Sequence, residues 1–194
     1  MSTGPLDVLA DANILFSRTI RDWIFLCHLE TDPPMFQLYW TEDILAELVG
    51  ALRERNPYYN DTQVGGVRRR IVATLPDGEI SGFSIDTSRT YRDPKDAHVH
   101  SAAVHGHVDI LLTDNVKDLK TDDSDDLPYE VLTADEFLLL VDDSCQELVH
   151  EVTRKQFQYY SDRIDSFSLP GSLERAGAKL FAERVADHLR ADHC

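Results

Sequence analysis

Short apolar runs bounded by turn residues alternate with longer stretches of helical spacing over the first 142 residues. LDVLA (6–10) predicts a buried strand, and after DANILFS the apolar-rich RTIRDWIFLCHLE predicts a helix. DPP then breaks the chain and MFQLYW (35–40) predicts a second strand. Thr41 is placed as the N-cap of a helix over EDILAELVGALRE, with Glu42 and Asp43 in the first turn, where acids suit the helix dipole. That helix ends before Asn56-Pro57. Val64, Val67, Ile71, Val72 and Leu75 predict another over residues 62–75, weakened by Gly65-Gly66. EISGFSI predicts a short or irregular strand. Pro94 at a first helical position behind Asp93 as N-cap predicts a helix over 94–105, closed by Gly106. VDILLT (108–113) and YEVLT (129–133) predict buried strands. Thr133 and Glu136 form a capping box, with Leu132 and Phe137 as its staple, and open a further helix. Strand-helix alternation over residues 6–142 implies an α/β fold with a parallel sheet covered on both faces.

Past residue 142 the strand pattern stops. Two helical stretches, 144–159 and 172–190, flank SFSLPGS, and Leu173, Ala176, Leu180, Val185 and Leu189 give the second an apolar side. The expected organisation is therefore one domain over 1–142 and a helical extension over 143–194. The longest apolar stretches, such as WIFLCHL and FLLLV, fall short of the ~20 residues of a membrane span. The N-terminus has no basic n-region or h-region, so a soluble, cytoplasmic protein is expected.

Composition narrows the chemistry. Cys27, Cys145 and Cys194 lie far apart without a CxxC pair and read as buried or idle thiols. A net charge of −16 argues against loose coating of nucleic acid. It leaves room for a nuclease, because an enzyme that holds metal ions with carboxylates is locally acidic. TDDSDDLP lacks the Gly and closing Glu of a calcium loop and reads as a solvated loop.

In parallel α/β sheets ligands gather at the carboxyl ends of strands. Asp11 directly follows the first strand, Glu47 lies on the helix after the second, Asp96 is in the first turn of the 94–105 helix, and Asp114 and Asn115 follow the fourth strand. At about 100° per residue, Glu47 and Asp96 fall at the margins of the apolar faces of their helices, as semi-buried acids. Several carboxylates aimed at one pocket must be protonated, paired with Arg or Lys, or bound to cations. No Lys or Arg adjoins Asp11 or Asp114 in sequence, and carboxylate ligands suit Mg²⁺ or Mn²⁺. Taken singly, Glu47 is a common helix-surface acid and Asp96 serves helix charge as readily as a metal. On the expected helix His98 and His100 lie about 200° apart, which disfavours a shared zinc. His100 borders the pocket one turn after Asp96, whereas His98, His105 and His107 read as exposed or capping.

LADANILFS, the glutamate in TEDILAEL, DPKDAHVHSAAV and ILLTDNVKDL, in this order over roughly residues 6–140, together resemble a PIN domain. The likeness is greatest to the VapC-like ribonuclease toxins of bacterial toxin–antitoxin pairs that carry a C-terminal helical extension. It implies a three-layer sandwich around a central parallel sheet, a Mg²⁺ or Mn²⁺ site, and cleavage of single-stranded or looped RNA. Asp11, Glu47 and Asp96 match the first three acids of the family pattern. Thr113 is followed by Asp114 and Asn115, with Asp118 beyond, and which of these three completes the site stays open. Asn13 and Thr113 match residues that orient the acids, Ser17 falls where a small hydroxyl is common, and Asp93 reads as an outer acid or an N-cap. The family likeness also implies a basic antitoxin as partner, and homodimers. Arg53, Arg55, Arg68, Arg69 and Arg70 form the one locally basic region and read equally as RNA guides or ordinary helix-surface charge. Two rival functions remain: a degenerate PIN domain that binds nucleic acid or protein without cutting, and a metal-dependent phosphoester hydrolase acting on small substrates.

Overall fold

The computed structural model describes residues 4–88, 91–116 and 127–191. The acidic loop at 121–126, Asp118 and Cys194 lie outside the described residues. Two compact units divide the chain, Met1–Phe16 with Phe36–Leu132 and Ser17–Met35 with Thr133–Cys194.

The first unit is built on four strands, β1 (Leu6–Ala10), β2 (Phe36–Tyr39), β3 (Ile110–Leu112) and β4 (Glu130–Leu132), paired in the order β2-β1-β3-β4. Every pairing is parallel. Val8, Leu9, Leu111 and Leu112 are wholly buried, the continuous apolar character of parallel strands with both faces covered. Ala10 pairs with Leu112, so the two central strands end side by side. The unit also holds α1 (Ala12–Phe16), α3 (Glu42–Arg55), α4 (Asp61–Thr74) and α5 (Ala97–His105). The fold class is the expected α/β sandwich around a central parallel sheet, with further helices toward the C-terminus.

Local chemistry sets the ends of these helices. Thr41 caps α3 by accepting from Ile44 N, and Asn60 with Gln63 forms a capping box on α4. Three expectations need correction. DANILFS contributes a helix of its own, α1. EISGFSI forms only an isolated parallel bridge between Trp40 and Glu79, because Ile80 alone of its apolar residues is buried and Gly82 turns the chain at φ 75°. The helix expected over 94–105 begins as a 3₁₀ turn over Pro94–Asp96 and becomes α-helical only at Ala97.

The second unit is helical: α2 (Arg18–Leu29), α6 (Ala134–Ser144), α7 (Gln146–Ser161), α8 (Leu169–Arg175) and α9 (Lys179–Ala191). The capping box expected at Thr133 opens α6. Trp23 packs edge-on against Phe181 with ring centroids 5.0 Å apart. The stretch expected as one helix over 172–190 is two, because Gly177 at φ 98° ends α8 in the left-handed region. The first turn of α9 is then capped from α6, where the Asp135 carboxylate accepts from Leu180 N at 3.1 Å and Phe181 N at 2.8 Å.

Candidate active site

The register of β1 against β3 places Asp11 and Thr113 together, one residue beyond each strand. Asp11 N donates to Leu112 O at 3.0 Å, and Thr113 N donates to Leu132 O at 3.0 Å. Asp11 is 8% exposed and Thr113 fully buried. Around the carboxylate the donors converge. Ala12 N donates to Asp11 Oδ1 at 2.6 Å, while Asn13 Nδ2 and Thr113 Oγ1 each donate to Oδ2 at 2.8 Å. The Thr113 hydroxyl in turn accepts from Asn13 Nδ2 at 2.9 Å and Asn115 N at 3.1 Å. One donor and two acceptor positions is the whole capacity of a hydroxyl, so its proton is directed to Asp11. Asp114 N closes the network by donating to Asn13 Oδ1 at 3.1 Å.

Burial pushes the Asp11 carboxyl above its ordinary value of 3.8. The Thr113 and Ala12 hydrogen bonds pull it down, the charge of Glu47 pushes it up again, and His98 pulls it down. Among the described residues no lysine or arginine is one of the groups that shift it. Asp11 and Glu47 are therefore close enough to repel, and His98 acts on Asp11 in the opposite sense.

Glu47 is not the semi-buried acid expected, since its side chain is 44% exposed. Its Oε1 lies 3.1 Å from His98 Nε2. His98 was expected at the surface or in a cap, yet its side chain is only 14% exposed, and its buried Nδ1 makes no hydrogen bond among the described residues. The miss has a geometric cause. On α5 itself His98 lies about 40° from Ala102 of the buried face, so the wheel puts it at the margin of the apolar side, where what packs against the helix decides its burial. His105 and His107 are exposed as expected. His100 is buried instead of bordering the pocket, with Nδ1 2.7 Å from the Tyr129 hydroxyl.

The other candidates separate. Asp96 is half-buried and ends the 3₁₀ turn. Asp93 caps that turn, accepting from Lys95 N at 2.9 Å. Asp114 is exposed and Asn115 half-buried. Ser17 caps α2 by accepting from Ile20 N. Four of the five arginines meet neighbours. Arg53 donates to Tyr59 O, Arg55 lies over the Phe16 ring at 5.4 Å, Arg68 donates to Glu42 Oε2 at 2.7 Å, and Arg69 to Asp61 Oδ2 at 3.2 Å. Arg70 is exposed. Among the described residues no three His, Cys, Asp or Glu side chains are gathered closely enough to hold a metal ion as they stand, and no helix is long and apolar enough to cross a membrane.

No curated protein and no solved structure gives a significant match to the chain. The sequence model of the PIN domain family matches residues 7–117, a span that takes in β1, β3 and the Asp11, Asn13 and Thr113 network between them. With more than half of its length matched, the chain belongs to the PIN-domain family, a family of nuclease fold.

Proposed function

We propose that the protein is a Mg²⁺- or Mn²⁺-dependent endoribonuclease cutting single-stranded or looped RNA, and the cytoplasmic toxin of a VapC-like toxin–antitoxin pair. The observation that carries this reading is Asp11, a buried carboxylate fixed by three neutral donors and repelled by Glu47, with no lysine or arginine among the described residues to balance it. Uncompensated buried charge is costly, and a cation from solution removes the cost.

The donor set fits a hard divalent ion. A carboxylate offers about four lone-pair positions; three on Asp11 are taken, which leaves one. Glu47 spends Oε1 on His98. Mg²⁺ commonly binds through one or two carboxylates with water completing its shell, so Asp11 and Glu47 suffice as the protein's core contribution. Asp96 and one of Asp114, Asn115 and Asp118 are the remaining ligands proposed. When bound, the ion supplies an activated water and offsets charge on the phosphate. Asn13 and Thr113 hold Asp11 in a single orientation, Glu47 is the group proposed to take a proton from water, and Asp93 braces the turn that carries Asp96. The products expected carry a 5′-phosphate and a 3′-hydroxyl. Arg70, with Arg53, Arg55, Arg68 and Arg69 around it, is proposed to guide RNA. The net charge of −16 suits a basic antitoxin. Residues from 143 onward form the proposed C-terminal extension.

Asp11→Asn or Asp96→Asn is expected to lower Mg²⁺-dependent RNA cleavage by at least about a hundredfold, with circular dichroism unchanged. Undiminished cleavage overturns the assignment. Asn115, an amide where many PIN domains carry an acid, favours a second reading in which the domain binds without cutting. Calorimetric titration with Mg²⁺ separates the two.

A further inference from the structure

The helical unit holds a concave site that this reading leaves unused. A cavity of about 370 Å³ lies between α2 and α7, at the lower end of the ~300–1,000 Å³ of small-ligand sites. Arg18 and Lys155 line it together with Phe25, Tyr159 and Tyr160. Gln156 also faces the cavity, is 6% exposed as a residue, and keeps its amide at the solvent-accessible wall. Its two donors and one acceptor are the set that reads a nucleobase edge.

The aromatic wall is ordered beforehand. Tyr160 stacks on Phe167 with centroids 4.4 Å apart and meets Tyr159 edge-on at 5.1 Å. Arg163 sits over the Tyr159 ring, 3.8 Å from its centroid. Arg18 has a side chain 69% exposed and a long 3.4 Å contact to Asp22, which leaves its guanidinium able to reach a phosphate. Lys155 is held by Glu30 and by Glu151 at 3.6 Å, so Arg18 is the lining cation with reach into the cavity. Stacking rings, an exposed guanidinium and an amide at the wall match a single-stranded nucleotide, whereas a peptide anchor would call for an apolar pocket without the amide.

We propose that this cavity binds one nucleotide of a single-stranded RNA, the base on Tyr159 and Tyr160 with its edge at Gln156, and the phosphate at Arg18. The choice of RNA as the polymer rests on the nuclease reading; the chemistry of the cavity does not. The test uses a fluorescein-labelled octaribonucleotide titrated with the full chain carrying Asp11→Asn, in EDTA, so that cleavage is silent. Adding Tyr160→Leu is expected to weaken binding roughly tenfold. Adding Arg18→Gln, at an exposed position that cannot disturb packing, is expected to weaken it about threefold and flatten its salt dependence. Unchanged affinity in Arg18→Gln overturns the proposal whatever Tyr160→Leu does, as does a folded chain that binds no RNA, and the cavity then falls to a protein partner. Neither result touches the nuclease assignment, which stands or falls on cleavage by Asp11→Asn and Asp96→Asn alone.

Discussion

Asp11 in the sheet unit and Asp142 in the helical unit are both buried aspartates, 8% and 1% exposed, and their charges are met in opposite ways. Asp142 accepts from Arg184 Nη1 at 3.2 Å and lies 2.7 Å from His188 Nε2. Arg184 also reaches Asp143 at 3.0 Å, and His150 stacks on His188 at 5.6 Å. The carboxylate of α6 thus meets a guanidinium and an imidazole on α9, within the protein. Asp11 accepts from three neutral donors, and of the charges acting on it Glu47 opposes its ionisation while His98 alone favours it. A buried acid with its cation supplied from within is a structural tie, whereas one left to neutral dipoles is poised for a cation from outside.

Breaking the internal pair gives the largest effect. Asp142→Ala strands Arg184 and His188, and because Arg184 is 40% exposed and keeps Asp143, the expected cost is about 2 kcal/mol, at the lower end for a broken buried pair. Urea unfolding measures it, and cleavage per folded molecule is expected to stay at the parent level. A cost near zero would erase the contrast with Asp11.

Thr113→Val keeps the shape but removes the hydroxyl that serves Asp11, Asn13 and Asn115. The expected loss is about 1.5 kcal/mol, from buried groups left without partners. Cleavage should also fall, because Asp11 becomes free to turn. Full activity in this variant would show that the network does not position the acid.

The smallest effect is a pH-dependent gain from metal. Asp11 has a folded-state value raised above 3.8, so its contribution to stability is present below that value and is lost as pH rises through the raised one. At neutral pH the ionised, buried acid therefore weakens the metal-free chain. Mg²⁺ at ten times its Kd is expected to restore about 1.4 kcal/mol at neutral or higher pH, and progressively less as the pH falls. Thermal melts with and without Mg²⁺ across this range measure it. A gain that persists in Asp11→Asn would place the ion elsewhere.

Where the determinants are local, the sequence is readable. Thr41 and Thr133 cap the helices predicted for them, Asp93 caps the turn at Pro94, and the apolar runs become β1, β2, β3 and β4. Departures arise where a short-range rule meets a change of geometry. The 94–105 stretch opens as a 3₁₀ turn at Pro94–Asp96, and Gly177 divides the last helical stretch. Exposure of Glu47 was equally out of reach, since its position on the α3 wheel says nothing of what packs on that side.

The run of apolar residues followed by an acid was enough to mark Asp11 and the Thr113-Asp114-Asn115 turn as strand-end groups, because strand ends and their polar exits are local properties of the chain. Only the tertiary structure decided that they meet. Thr113 bonds to an aspartate 102 positions away, through a parallel pairing in which Ala10 stands against Leu112. Parallel strands are joined by long crossovers whose length does not fix their register. The same holds for Asp142, which has its partners 42 and 46 positions away on α9. Sequence names the charged groups; packing decides which of them are neutralised inside the protein and which are left facing a site.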